Sequence, residues 1–197
     1  MSKGQSSCCG SSDSGDKITD RKNSESYFLQ IAKKRYSVRK YAEKPVEDEK
    51  IDAIIEAGIC SPTAANIQPY RILVIRTQEG IRKLSKGAET YGASSAFIIC
   101  ANTKEAWKRP FDGKITSDID ASIVTDHMMH AATDLGLGSL WMTYFKPDAI
   151  RENFNIPVEY EPVNILLVGY SADKEQSPDR HNKTRKSRDQ IVINETF

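Results

Sequence analysis

The chain has 197 residues and a formal net charge of +1 at pH 7, with 39% hydrophobic and 28% charged residues. These values are typical of one globular domain with a sizeable core, and the near-neutral charge disfavours a nucleic-acid binder, which carries a strongly basic face. Since no apolar run is long enough to span a bilayer and the first residues lack the apolar core of a secretory signal, we expect a cytoplasmic protein that binds neither nucleic acid nor membrane.

The first 22 residues predict a flexible tail. Residues 4–15 are mostly Ser, Gly and Cys, which offer almost nothing to bury. No cysteine spacing suggests a metal site or a disulfide framework. We expect two tail thiols and two core thiols: Cys8, Cys9, Cys60 and Cys100. The chain therefore divides into a tail, residues 1–22, and one domain, residues 23–197.

The first third of the domain predicts two helices and a strand. A first helix should cover about Ser24–Lys34, with an apolar face formed by Tyr27, Phe28, Ile31 and Ala32. A second helix should follow Pro45 and end at Pro62. The apolar run within Arg71–Arg76 predicts a buried strand.

The rest of the domain alternates between helices and apolar strands. A long helix over Asp120–Leu135 gives the clearest pattern; Asp118 or Asp120 can cap it and Gly136 can close it. Strands that are apolar on both faces are covered on both sides, so we expect an α+β sandwich of helices around a sheet. The other predicted segments are a helix at Glu79–Lys86, strands at Ala96–Ala101, Leu140–Tyr144 and Val163–Tyr170, a loop at Glu105–Ser117, a helix from Pro147 and an edge strand at Gln190–Phe197.

Two basic segments lie at opposite ends of the domain. Arg35, Ser37 and Arg39 alternate, so in an extended segment they project to one side and form a cradle suited to phosphate. Lys183 and Arg185 are also two residues apart. Taken alone, each segment is better explained as a solvated basic turn or a charged surface tail.

A turn rich in amides and hydroxyls lies between the second helix and the first strand. It contains Pro62, Thr63, Asn66 and Gln68. Asn and Gln offer both donors and acceptors, which suits a heterocycle with mixed edges such as a flavin. The alternative is a helix-terminating loop whose side chains satisfy one another.

Other chemistries lack support in the sequence. The Gly136–Trp141 segment follows a helix rather than opening one, which is not the arrangement of a dinucleotide fingerprint. His127 and His130 have no evident third ligand for a metal. No Gly-x-Ser-x-Gly elbow occurs, and no acidic pair suits acid–base catalysis.

Taken together, these segments resemble the nitroreductase family of FMN-dependent oxidoreductases. The resemblance runs from about Tyr27 to the C-terminus, and the turn from Ser61 to Pro69 is its most specific part. The segments at 35–41, 120–141 and 163–185 follow in the family's order. The resemblance implies an intertwined α+β homodimer with a central mixed sheet flanked by helices, and two FMN sites that each draw on both subunits.

The resemblance also implies roles for individual residues. The phosphate and ribityl chain of FMN would be held by Arg35, Ser37, Arg39, Lys183 and Arg185. The flavin would be approached from the partner subunit by the turn that carries Pro62, Thr63, Asn66 and Gln68. The backbone at Thr143 and Tyr144 would face the reactive edge of the ring, and the C-terminal strand would wrap onto the other subunit. No catalytic side chain and no metal is expected, because the flavin carries the chemistry.

The activity implied is ping-pong transfer of a hydride from NADPH or NADH, through FMN, to a small flat acceptor such as a nitroaromatic or a quinone. A specialised activity such as dehalogenation or flavin fragmentation, or a sensory or storage role, fits the same fold. A nucleotide-binding or interaction module without flavin is a third hypothesis. Trp107, Phe111 and Tyr144 either line a pocket for aromatic substrates or serve in packing.

Overall fold

The computed structural model describes residues 25–197, so the tail predicted for residues 1–22 lies outside the described residues. Within them, no helix is both long enough and apolar enough to cross a membrane. The α-helices are α1 Tyr27–Lys34, α2 Asp48–Ile59, α3 Gln78–Leu84, α4 Ser117–Asp134, α5 Pro147–Phe154, α6 His181–Thr184 and α7 Arg188–Ile191. The strands are β1 Tyr70–Ile75, β2 Ser95–Asn102, β3 Gly138–Met142 and β4 Tyr160–Gly169, and short 3₁₀ helices cover Ala64–Asn66 and Pro178–Arg180.

The four strands form one sheet in the order β1-β2-β4-β3. Each neighbouring pair runs antiparallel, so the expectation of a mixed sheet is wrong for these strands. An isolated parallel bridge joins Ser37, which lies outside the strands, to Ser139 of β3. Apolar runs show that both faces of a strand are covered, but they carry no information on strand direction.

Helices cover both faces of the sheet, as the apolar strands predict. Every residue of β2 is buried. From residue 96 to residue 101, consecutive side chains alternate between two separate hydrophobic cores, one on each face of the sheet. Phe97 packs in the core formed with α2 and α4, where Met128 is fully buried. Ile98 packs in the opposite core with Leu84 of α3 and Ile150 of α5. The α+β architecture therefore rests on one sheet between two apolar layers.

The long helix starts earlier than predicted. It begins at Ser117, and its N-cap residue is Thr116, without a side-chain capping bond. The expected caps are therefore wrong: Asp118 is exposed, and the carboxylate of Asp120 is buried against another segment. Gly136 does follow the helix with a φ of 76°, a conformation that glycine adopts without strain.

The C-terminal edge strand is not present among the described residues. Only its first two residues, Gln190 and Ile191, are helical, at the end of the short helix α7, which begins with a capping box between Ser187 and Gln190. Beyond it, Ile193 and Phe197 are exposed rather than paired with the sheet. Alternating polarity alone could not distinguish this arrangement from a strand.

The two cysteines of the domain differ in their surroundings. Cys100 is buried in β2, as predicted, and burial raises the pKa of its thiol to about 11. Cys60 is exposed, so its prediction as a core thiol is wrong. It follows the last turn of α2, where the buried stripe of Ile51, Ile54 and Gly58 has already ended.

Candidate cofactor site

The segment after α1 is extended and anchored to the start of β3. The amide of Val38 donates to the carbonyl of Ser139 at 3.0 Å, and the Val38 side chain is fully buried. Ser37 and Arg39, on either side of Val38, are exposed. The predicted alternation is therefore present, with the polar residues facing away from the core.

The two ends of the domain meet beside this segment. A cavity of about 230 Å³ is lined by residues from both, among them Arg35, Ser37 and Arg185. The structure thus brings these three predicted residues together. Lys183 lies exposed on α6 and does not line this cavity.

Arg180 also lines this cavity, and sequence reasoning missed it. Its guanidinium donates to the carbonyls of Lys33 and Ser177, each at 3.0 Å, and to the carbonyl of Arg35. The last carbonyls of a helix lack partners within the helix, so Arg180 fastens the end of α1 and holds the backbone of Arg35. The one sequence feature that could have indicated Arg180 as a site residue is its position three residues before Lys183, in the second basic segment.

Positive charge accumulates in this cavity. Burial lowers the pKa of the Arg35 guanidinium, and the charges of Arg180 and Arg185 lower it further, against a smaller opposing effect of Asp126. In residues 25–197, none of these three arginines has a carboxylate within salt-bridge distance. An anion bound here would relieve their mutual repulsion, and Arg forms fork-shaped contacts with phosphate.

Arg39 lies at the adjoining cavity of about 440 Å³. Ser37 and Arg180 line both this cavity and the smaller one. The carboxylate of Asp173 also lines the larger cavity, where it accepts from the Arg39 amide at 2.6 Å. The backbone of Arg39 is thereby fixed, while its exposed side chain stays available to a ligand.

A buried hydroxyl without a partner among the described residues lines another cavity beside Arg35. The Oγ atom of Ser139 has no hydrogen-bond partner among the described residues, which is rare for a buried polar atom. Ser139 and Arg35 line a third cavity, of about 350 Å³. A Cβ on the adjacent Gly138 would lie 2.7 Å from Cγ2 of Val38, so a glycine is needed for this close approach. The donor set at these cavities fits a phosphate with a polyhydroxyl chain.

The amide-rich turn is strained and partly self-satisfied. Ala65, Asn66 and Gln68 have φ values of 51°, 54° and 55°, which non-glycine residues rarely adopt. Thr63 Oγ1 accepts from the amide of Gln68 at 3.1 Å, and Gln68 Nε2 donates to the carbonyl of Asn66 at 2.8 Å. The side chains of Thr63 and Gln68 therefore form hydrogen bonds within the turn, as expected if the turn satisfies its own polar groups. Asn66, by contrast, is exposed.

One chain does not unite all the predicted site residues. The turn residues Pro62, Thr63, Asn66 and Gln68 line none of the three cavities around Arg35. Thr143 is exposed, and the Tyr144 side chain, 95% exposed, borders a separate cavity of about 370 Å³ formed with residues 85–89. Neither Trp107 nor Phe111 lines that cavity, and Phe111 is 94% exposed.

Comparison with known proteins identifies the family. Residues 32–90 and 90–170 match the model of the nitroreductase family. The chain belongs to the nitroreductase family. It is therefore an oxidoreductase, and the resemblance drawn from the sequence is confirmed.

Solved structures of nitroreductases share this fold. A nitroreductase family protein from Clostridium difficile 630 is 50% identical, with a TM-score of 0.84 over 86% of this chain and 98% of that one. An FMN-dependent nitroreductase from Clostridium difficile R20291 is 26% identical, with a TM-score of 0.71 over 85% and 98%. A relative from Archaeoglobus fulgidus, provisionally assigned as an NADH dehydrogenase/NAD(P)H nitroreductase, is 32% identical over 169 residues, 80% of this chain and 94% of that protein. The α+β fold class is confirmed.

The strain in the turn of this nitroreductase predicts a stabilising substitution. Ala65→Gly should raise the free energy of unfolding by up to about 1 kcal/mol, because relief of the left-handed Cβ penalty, about 1–2 kcal/mol, exceeds the entropy that glycine adds to the unfolded chain. Ala53→Gly, inside α2, is the matched control and should lower it by about 1 kcal/mol. Urea unfolding measures both, and a loss of stability in Ala65→Gly similar to that of the control would show that the turn is not strained.

Proposed function

We propose that this nitroreductase is an FMN-dependent enzyme that takes electrons from NADPH or NADH and delivers them to nitroaromatic or quinone acceptors in ping-pong turnover. The observation that carries the proposal is the cluster of Arg35, Arg180 and Arg185, which lies beside Ser37 without a carboxylate partner among the described residues. Family membership supports a flavin, and the FMN-dependent neighbour supports this form of it.

The proposed phosphate site uses charge and hydrogen bonding together. Arg35 and Arg185 would donate to the phosphate of FMN and Ser37 would add a hydroxyl, while Arg180 adds charge and fixes the backbone of Arg35. Arg39 would contact the ribityl chain or the ring. FMN, when bound, supplies a ring that accepts and donates electrons. The protein residues then bind it, orient it and exclude water.

We propose that the site is completed in a homodimer. No residue of α1 is buried, and Tyr27 and Phe28 are 66% and 64% exposed on its apolar side. The C-terminal residues Ile191, Ile193 and Phe197 are exposed as well. Neighbouring exposed aromatic side chains such as those of Tyr27 and Phe28 are suited to an interface. A partner subunit that covers these residues would also bring its amide-rich turn to the flavin, as the resemblance implies.

The cavity beside Tyr144 supports the proposed substrates. Its exposed ring offers a flat surface on which nicotinamide or an aromatic acceptor can stack. Lys86 and Lys146 line the same cavity together with Glu89. The two lysines suit the phosphates of a nicotinamide cofactor.

Removing the central arginine tests the phosphate site. Arg35→Ala should raise the Kd for FMN roughly tenfold to a hundredfold, because a charge-assisted hydrogen bond contributes about 1.5–3 kcal/mol. Arg82→Ala, on the exposed surface of α3, is the control and should bind FMN as the unaltered protein does. Titration by flavin fluorescence gives both constants, and an unchanged Kd in Arg35→Ala would contradict the assignment.

A second substitution tests the dimer. The unaltered protein should sediment at twice the 22.1 kDa of one chain. Phe28→Ser should raise the dimer dissociation constant roughly a hundredfold or more, because each symmetric dimer loses two Phe rings and burying one contributes about 1.5–3 kcal/mol. Val158→Ser, at a side chain that is 86% exposed, should leave it unchanged. A stable monomer loaded with flavin would refute the shared site.

A further inference from the structure

Asp120 is a buried carboxylate that the proposed chemistry does not use. It lies in the first turn of α4 and is 1% exposed. Its Oδ1 accepts from the amide of Ala64 at 2.9 Å. Its Oδ2 lies 3.4 Å from the hydroxyl of Thr116, which has a closer acceptor in the carbonyl of Trp107 at 3.2 Å. Asp120 thus joins the start of α4 to the strained turn, across 56 residues of sequence.

The surroundings of Asp120 explain how its charge is tolerated. Burying a carboxylate is costly unless its oxygens are hydrogen-bonded. In the described part of the chain, no cation lies within salt-bridge distance of it. The positive end of the α4 dipole stabilises a carboxylate in the first helical turn. The amide of Ala64 supplies its shortest hydrogen bond.

The strained turn at residues 63–68 requires contacts that hold its conformation. Three of its non-glycine residues have left-handed φ values, and such strain persists only where the surroundings impose it. The bonds of Thr63 with Gln68 and Asn66 lie within the turn. The bond from Ala64 to Asp120 fastens the same turn to a long helix, next to the residue that presents the exposed amide.

We propose that Asp120 is a positioning residue for the flavin site. By holding the Ala64 amide, it keeps residues 63–68 in the conformation that presents Asn66 to the flavin of the partner subunit. This inference rests on the proposed function for its ligand. The anchoring itself concerns this chain alone and is measurable without flavin.

The first test uses the flavin-free protein. Asp120→Ala should speed amide hydrogen exchange at Ala64 and its neighbours at least tenfold, because a charge-assisted hydrogen bond is lost. Asp120→Asn keeps an oxygen that accepts from Ala64 and should retain protection. Asp118→Ala removes an exposed carboxylate from the same helical turn and is the control. Unchanged exchange in Asp120→Ala would overturn the anchoring.

The second test measures FMN binding by the same variants. Asp120→Ala should raise the Kd for FMN about tenfold or more, while Asp120→Asn and Asp118→Ala stay close to the unaltered protein. Adding Ala65→Gly to Asp120→Ala should recover part of the affinity, because a glycine reaches the left-handed conformation without the anchor. Recovery of the unfolding midpoint without recovery of FMN affinity would show a merely structural role and overturn the proposal.

Failure of the two proposals can be told apart. If the unaltered protein does not bind FMN, the proposed function fails, whatever the exchange rates at Ala64 show. If the unaltered protein binds FMN and Asp120→Ala binds it equally well, the proposed function stands and the positioning role fails. Should Asp120→Ala not fold, Ala65→Gly/Asp120→Ala provides the same comparison against Ala65→Gly alone.

Discussion

Repulsion among Arg35, Arg180 and Arg185 is the constraint around which this end of the domain is organised. Like charges in a partly buried cavity oppose folding unless carbonyl dipoles or a bound anion compensate them. The chain supplies the carbonyls through the end of α1, to which Arg180 donates, and it leaves the cavity open to an anion. The same contacts bring residues from both ends of the sequence to one place. The fold therefore gathers these positive charges in one cavity, which is where the proposed phosphate would bind.

The proposed sharing of the site between two chains is supported by what one chain leaves incomplete. The basic cluster and the amide-rich turn lie in separate places, while the apolar side of α1 and the C-terminal segment are exposed. An intertwined partner accounts for both observations at once. The backbone strain at Ala65, Asn66 and Gln68 is consistent with the same proposal. Strain that neighbouring contacts maintain is typical of functional sites.

The local features of this fold were predictable from the sequence, whereas features that depend on distant contacts were not. Alternation at 35–39 follows from the geometry of an extended chain, and the apolar run of β2 indicated a strand buried on both faces. Strand direction was not encoded in those runs. The role of Arg180 depends on carbonyls about 145 residues away, which no local pattern shows. The C-terminal segment was mistaken for a strand because its alternation also fits a short capped helix and an exposed extension.

We propose that this arginine cluster holds FMN in a working reductase. The most direct measurement is the visible absorption spectrum of the purified protein supplied with FMN, recorded without oxygen before and after addition of NADPH or NADH. We predict a bound flavin band that bleaches with at least one of the two reductants. A protein that fails to retain FMN, or a bound flavin that stays oxidised with both reductants, would contradict the claim.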